Sequence, residues 1–255
     1  MQIGEHGVVR IGGKQYTGEV DITVPRFETL AIEILPEWGY LLSDIHASNI
    51  AHMTLENGVI LIDSAVIDTD FTMSFKEVTT PMMRLAAPEI TLAPGMSAIM
   101  PTFFAPSSMN SVSMKVKWTS DQPEIATGDE NGQITAMKDG TALITGTCGT
   151  LSAACTVTIK AMNTITFPER MTEIRESAMA TDTSVEMAVF WAIETIGNHV
   201  FDGCENLKIV SLPSNVKEIG EEAFSGCSSA VILCNESATE ILEYAKKHGI
   251  PYLYR

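Results

Sequence analysis

Ile196-Gly197-Asn198-His199-Val200-Phe201-Asp202-Gly203-Cys204 is followed, 23 residues on, by Ile219-Gly220-Glu221-Glu222-Ala223-Phe224-Ser225-Gly226-Cys227. The isoleucine, both glycines, the phenylalanine and the cysteine recur in register, so this is an internal repeat and not an isolated motif. One 23-residue turn of chain cannot bury its own apolar side. Leu207, Val210, Leu212, Val216, Ile219, Phe224 and Cys227 need a neighbouring turn to pack against, and a stack of coils follows. A worn earlier copy runs from Ile174 to Met179, after Phe167-Pro168. It has Arg175 in place of the glycine and no cysteine near Thr181, and reads as an amino-terminal cap. Cys204 and Cys227 read as buried thiols stacked in the core, the alternative being a disulfide between them.

The end of the stack is also written in the sequence. Ser237-Ala238-Thr239-Glu240 has the spacing of a capping box, which predicts a helix starting there. Ala238, Ile241, Leu242 and Ala245 form one apolar face at helical spacing, suited to covering the last open coil. Lys246, Lys247 and His248 suit the carboxyl end of that helix, and Gly249 and Pro251 stop it.

Upstream, two further segments differ in periodicity. Over 86–161, Val116-Lys117-Trp118-Thr119, Asn131-Gly132-Gln133-Ile134, Gly140-Thr141-Ala142-Leu143-Ile144 and Cys155-Thr156-Val157-Thr158-Ile159 succeed each other as short strands punctuated by turn residues, which predicts a β-sandwich. Trp118 is expected between its sheets, with Gly132 and Gly140 in turns. Cys148 and Cys155 flank a turn expected over Gly149–Ala154; they read either as a bridge or as free thiols. Over 1–85, Asp21-Ile22-Thr23-Val24, Leu30-Ala31-Ile32-Glu33-Ile34, Leu41 to Ile45, Val59 to Ile62 and Phe71-Thr72-Met73-Ser74-Phe75 read as strands of a small all-β unit, with a hairpin at Asn57-Gly58. Residues 79–83 with 86–88, and residues 160–163, read as linkers. The organisation expected is therefore mainly β and modular: 1–85 a small all-β unit, 86–161 a sandwich, 162–255 a short solenoid with a capping helix.

These elements carry three resemblances. Ile-Gly-x-x-Ala/Val-Phe-x-Gly-Cys together with Ser211-Leu212-Pro213-Ser214-Asn215-Val216 and the ending Tyr244 to Tyr252 is similar to BspA-type leucine-rich repeats, over about 165–255. Trp118-Thr119-Ser120-Asp121, Asn131-Gly132-Gln133-Ile134-Thr135-Ala136 and Gly140 to Gly146 resemble the group 2 bacterial immunoglobulin-like domain, over about 88–160. Residues 18–77, with Pro36-Glu37-Trp38-Gly39-Tyr40 before the Asn57-Gly58 turn, resemble a repeat module of large bacterial surface proteins.

The chain of 255 residues holds 32 acidic and 16 basic side chains, a formal charge of −16. A phosphate backbone or anionic membrane would be repelled, so nucleic acid is not expected as a partner. The charge is uneven: five basic against twelve acidic residues in 1–85, four against six in 86–161, seven against fourteen in 162–255. No stretch approaches the roughly 18 apolar residues of a membrane span, and the amino terminus, with Glu5, His6 and Arg10, does not read as an export signal.

Chemistry-bearing patterns are sparse. Gly12-Gly13-Lys14 lacks the first glycine of a phosphate loop, and Gln15 follows the lysine. Asp129-Glu130-Asn131-Gly132 has its glycine too early for a calcium loop and reads as a hairpin turn. Asp63, Asp68 and Asp70 read as solvated turn carboxylates, with a weak cation site as the alternative. His6, His46, His52, His199 and His248 have no metal-ligand spacing. Hence no catalytic, metal or cofactor residue is nominated, no cofactor is expected, and the ligand-binding residues stay open because two repeat copies do not fix the exposed face.

The resemblances imply a non-catalytic, surface-displayed adhesion or recognition protein. The Ig-like segment would act as spacer and the repeats would meet a host protein or glycan at an extracellular or cell-surface location. The alternative is a bacteriophage virion component, since similar Ig-like modules decorate phage particles. Met1 at the start and the missing export signal suit it, and its partners would be identical or other virion subunits. On that reading the first 20 residues would be an arm packed on a neighbour, and on the other a frayed tail.

Overall fold

The computed structural model describes residues 1–49, 53–63, 68–111 and 114–255; His52 lies outside them. The architecture is mainly β, with one α-helix among the described residues, near the carboxyl end, and the chain forms two compact units. One comprises residues 1–82 with 104–113, the other 83–103 with 114–255. The segments read as sandwich and solenoid thus fall largely within the second unit.

In the first unit, alternating strands each bury one face. A five-stranded sheet runs in the order Lys14–Tyr16, Gly7–Ile11, Leu30–Pro36, Val59–Ile62, Met53–Glu56. A three-stranded sheet places Phe71–Glu77 between Gln2–Ile3 and Tyr40–Ala47. Ile3, Val9, Ile32, Ile34, Ile60, Phe71 and Met73 form the shared core. The first residues are neither an arm nor a tail: they are strands of this unit, and the Met1 ammonium donates to the Val20 carbonyl at 2.9 Å. Gly12 and Gly13 make a two-residue hairpin loop that pairs Ile11 with Lys14. The strand expected at Asp21–Val24 does not form. Pro25 has no N–H to donate to a ladder, and its carbonyl accepts from Glu28 to close a turn at 3.2 Å.

The second unit is built on two large sheets, with a short three-stranded ladder in the coils. The smaller runs Glu89–Leu92, Leu151–Ile159, Gly140–Cys148, Lys117–Ser120. The larger has eight strands: Ala126–Gly128, Gln133–Ala136, Ser97–Ile99, Tyr252–Tyr254, Val231–Cys234, Ile209–Ser211, Met187–Val189 and Thr164–Thr166. Its first three belong to the sandwich and its last five to the coils. Ile99 opposite Tyr254 is the antiparallel join between them. From Tyr252–Tyr254 onward the pairing is parallel.

This join places two cores on opposite faces of one sheet. Val210, Ile232 and Tyr252 point into the solenoid core with Ala188, Phe201 and Leu212. Ile209, Val231, Leu233 and Leu253 point the other way, into the sandwich core with Leu92, Ala98, Ile134, Ile144 and Val157. A strand covered on both faces needs no polar alternation, which accounts for the unbroken run Val231-Ile232-Leu233-Cys234. The four residues read as a linker, Lys160 to Asn163, are tied to the second coil. The Lys160 ammonium pairs with Glu186, and the Asn163 N–H donates to the Glu186 carboxylate at 3.0 Å. The earlier linker, 79–83 with 86–88, also holds more, since Met82 and Met83 open the strand Met82–Leu85 and Ala87 is buried.

Within the solenoid a second parallel ladder joins Glu173–Ile174, Thr195–Ile196 and Glu218–Ile219. The segment expected to be a cap is a full coil. Ser177, His199 and Glu222 occupy one left-handed position, with φ of 56, 53 and 55°, and Thr181, Gly203 and Gly226 another, with φ of 63, 72 and 73°. At the other end a helix, Thr239–His248, buries Ile241, Tyr244 and Ala245, and Tyr244 meets Phe224 edge to face at 5.9 Å. Gly249 closes it in the left-handed conformation. The expected capping box is absent. Ala238, not Ser237, holds the cap position, without a side-chain bond, and the Ser237 hydroxyl donates to the Asn235 carboxamide oxygen at 2.8 Å.

Candidate functional site

The cysteines singled out in the sequence are free thiols, and of the carboxylates Asp63 and Asp129 accept hydrogen bonds. Cys204 and Cys227 are free thiols, and each donates to a carbonyl of the coil before it, Cys204 to Met179 and Cys227 to Phe201, both at 3.0 Å. Burial pushes the Cys227 thiol up to about 12, with the neighbouring Cys204 adding to the rise. These sulfurs are poor nucleophiles. The bridge considered between Cys148 and Cys155 does not form. The turn is two residues long, so Cys148 lies opposite Leu151 and Cys155 opposite Ile144. Cys155 is thereby about 13 Å along the strand from Leu151, beyond disulfide reach.

Asp63 accepts a hydrogen bond from the Thr29 hydroxyl at 3.3 Å. Asp68 and Asp70 line a shallow recess with Asp21 and Arg26. Asp129 organises its own turn, accepting from the backbone N–H of Asn131 at 2.9 Å and of Gln133 at 2.8 Å. Among the described residues no group of three or more His, Cys, Asp or Glu is placed to hold a metal ion. His6 stacks on Tyr40 and bonds Glu37, His199 lies 3.5 Å from Glu222, and His248 stacks on Tyr244.

The feature that concentrates accessible aromatic and polar groups is a groove of about 1060 Å³ beside the join of the eight-stranded sheet. Ile99 and Tyr254, paired across adjoining strands, share one face of the sheet there. Trp118 and Phe103 add apolar wall. As expected, Trp118 packs between the sheets against the sandwich core, but it sits at the edge and is only half-buried. Side chains at Gly128, Gly132 or Gly146 would each begin 3.1–3.3 Å from Trp118 atoms, so the three glycines form the slot that holds the indole. The turn from Asp129 to Asn131, the exposed lysines Lys115 and Lys117, and Glu236 from the solenoid supply the polar rim.

Tyr254 is half-buried, and its phenol is pushed up to about 12 by burial, with the nearby Tyr252 and Glu236 reinforcing the rise. It remains a neutral hydroxyl that can both donate and accept. Sequence reasoning missed the groove because its two halves lie more than a hundred residues apart. The available signal was the final Tyr252-Leu253-Tyr254, an alternating strand with no obvious partner.

The comparisons with known proteins divide along the same lines. A family model described as a bacterial Ig-like domain matches residues 114–161, and one described as a BspA type leucine-rich repeat region matches 145–248 in six copies. The repeat match begins inside the hairpin of Gly140–Cys148 and Leu151–Ile159, which the structure assigns to the sandwich, while the first coil strand starts at Thr164. No curated protein matches the chain. Among solved structures, a leucine-rich repeat protein of T. pallidum is 36% identical over 26% of this chain and 32% of its own, with a TM-score of 0.26. This chain thus aligns with about a third of that protein's length. The surface layer protein SbsC, domains 1–6, is 13% identical over 64% of this chain and 28% of its own, with a TM-score of 0.29. Invasin, described as a bacterial integrin-binding protein, is 10% identical over 60% of this chain and 38% of its own, with a TM-score of 0.22. The carboxy-terminal part of the chain therefore combines a bacterial Ig-like domain with a BspA-type leucine-rich repeat region.

Proposed function

We propose that the protein is a non-catalytic recognition protein displayed at a surface, in which the Ig-like sandwich and the repeat coils act as one binding body. The observation that carries this reading is the groove at the join, to which both contribute: Trp118 and the Asp129–Asn131 turn from one, Tyr254 and Glu236 from the other. A spacer linked flexibly to a binding module would leave no such shared site. The outer face of the coil sheet is not the recognition surface on this reading, because Ile209, Val231 and Leu233 are buried there in the sandwich core.

The test is binding of the labelled intact chain to cultured epithelial cells, measured by flow cytometry with Tyr254→Ala as control. Saturable binding that the substitution reduces supports the reading. A chain that binds no cells and assembles into a stable ring or trimer in solution would overturn it in favour of a particle subunit.

A further inference from the structure

We infer that the groove beside the Ile99–Tyr254 join binds an uncharged oligosaccharide chain, lying on aromatic faces and held by the surrounding carboxylate, amide and hydroxyl groups. The inference rests on the recognition reading above and names the ligand class of that same site.

Three properties of the groove point to this class. First, it is an open trough and not an enclosed cavity: Trp118 and Tyr254 are each half-buried, so ring surface is available to a ligand, while Phe103 carries the Arg84 guanidinium over one face of its ring, 5.0 Å from the centroid. Its volume of about 1060 Å³ lies just above the usual range of small-molecule pockets, which suits an extended occupant. Secondly, the rim is mixed in sign. Lys115 and Lys117 line it together with Asp129, Glu130 and Glu236, so neither a polyanion nor a polycation is favoured by charge. The chain's net charge of −16 further disfavours acidic ligands. Thirdly, the polar groups combine acceptors and donors at short intervals. Carboxylates at 129, 130 and 236 accept, the lysine ammoniums donate, and the Asn131 amide and Tyr254 hydroxyl do both. A pyranose presents the complement, with axial C–H faces that stack on an aromatic ring and equatorial hydroxyls that need both kinds of partner.

The site is also prepared in advance. Asp129 holds its turn through two backbone bonds, the glycine slot fixes the indole, and Tyr254 is clamped between Ile99 and Cys234 in the sheet. Little conformational freedom is lost when a ligand enters, which is what a ligand offering only weak individual contacts requires.

The experiment titrates the intact chain with cellohexaose, xylohexaose, mannohexaose and chitohexaose, using calorimetry together with indole fluorescence of a Trp38→Phe, Trp191→Phe variant that leaves Trp118 as sole reporter. Saturable binding of at least one of the four is expected, with a change in Trp118 emission. Tyr254→Ala should weaken it about tenfold and Glu236→Gln about threefold. Glu236 is exposed, so that variant folds even if the tyrosine substitution loosens the sheet. Absence of saturation with all four sugars, or binding that neither substitution weakens, would overturn the inference. If cell binding is abolished by protease, unaffected by glycosidases and still reduced by Tyr254→Ala, the ligand is a protein: the recognition reading then stands and the glycan inference falls.

Discussion

The first coil of the solenoid and the two that follow share a backbone path but not a sequence, and the differences identify what stacking demands. Where Gly197 sits, a Cβ would lie 2.6 Å from the backbone nitrogen of Glu176 in the coil before it; at Gly220 it would lie 2.5 Å from that of Asn198. The first coil has Arg175 at this position because there is no earlier coil for its side chain to strike. Cys204 and Cys227 follow the same rule, since each thiol bonds a carbonyl one coil back. Asp182, at the corresponding place in the first coil, turns instead to Ser184 and accepts from its N–H at 2.8 Å and its hydroxyl at 2.6 Å. The worn copy is thus not a decayed repeat. It lacks the residues needed only above another coil.

The largest expected effects come from breaking this contrast. Gly220→Ala forces a methyl into the Asn198 backbone and should destabilise the second unit by roughly 2–4 kcal/mol, whereas Arg175→Ala should stay within about 0.5 kcal/mol. Urea unfolding of the two variants measures both.

The sheet offers a parallel comparison. Leu233 and Thr166 hold equivalent positions on its outer face, related by the ladder Thr166–Val189–Ser211–Leu233. Leu233 is buried in the sandwich core and Thr166 is exposed. Leu233→Ala should cost about 3 kcal/mol and Thr166→Ala close to nothing, again by urea unfolding.

A smaller effect separates the coils by pH. The Cys227 thiol is held up to about 12 by burial, against about 8.5 in an unfolded chain. Its contribution to stability is complete below about pH 8.5 and is lost as the pH rises from there toward 12. Asp182 behaves in the opposite sense: its bonds from Ser184 hold its carboxyl below the usual value, so its contribution is present above about pH 4 and is lost on acidification. Raising the pH from about 7 to about 10 should lower the urea midpoint of the second unit, and by less in Cys227→Ala. An equal fall in both would assign the alkaline loss to other groups, such as Cys155 and Cys234, whose thiols burial also pushes up, to about 12 and about 11.

Much of this fold was legible in the residues, for a physical reason: periodicity reports local burial. The 23-residue recurrence of Ile196-Gly197 at Ile219-Gly220, the Asn57-Gly58 hairpin and the Gly249 helix stop each depend on neighbours close in sequence or on one repeated contact. The join at Ile99 and Tyr254 depends on two segments with no common period, and hence neither it nor the groove could be read in advance. Asp21–Val24 shows the converse failure. Its alternation is correct for a strand, yet Pro25 removes the donor at its end. The Ser237 capping box failed by one position: the helix starts at Thr239, so Ala238, which has no polar side chain, holds the cap.

The central claim is that sandwich and coils form one cooperative body through a shared sheet. Amide hydrogen exchange of the intact chain in mild urea, resolved by mass spectrometry, tests it most directly. The account predicts that peptides spanning 126–136 in the sandwich and 209–234 in the coils lose protection in a single step, with the Tyr254 amide among them. Loss of protection in the coils while 126–136 stays protected would contradict it, and would return the repeats to the status of an independent module.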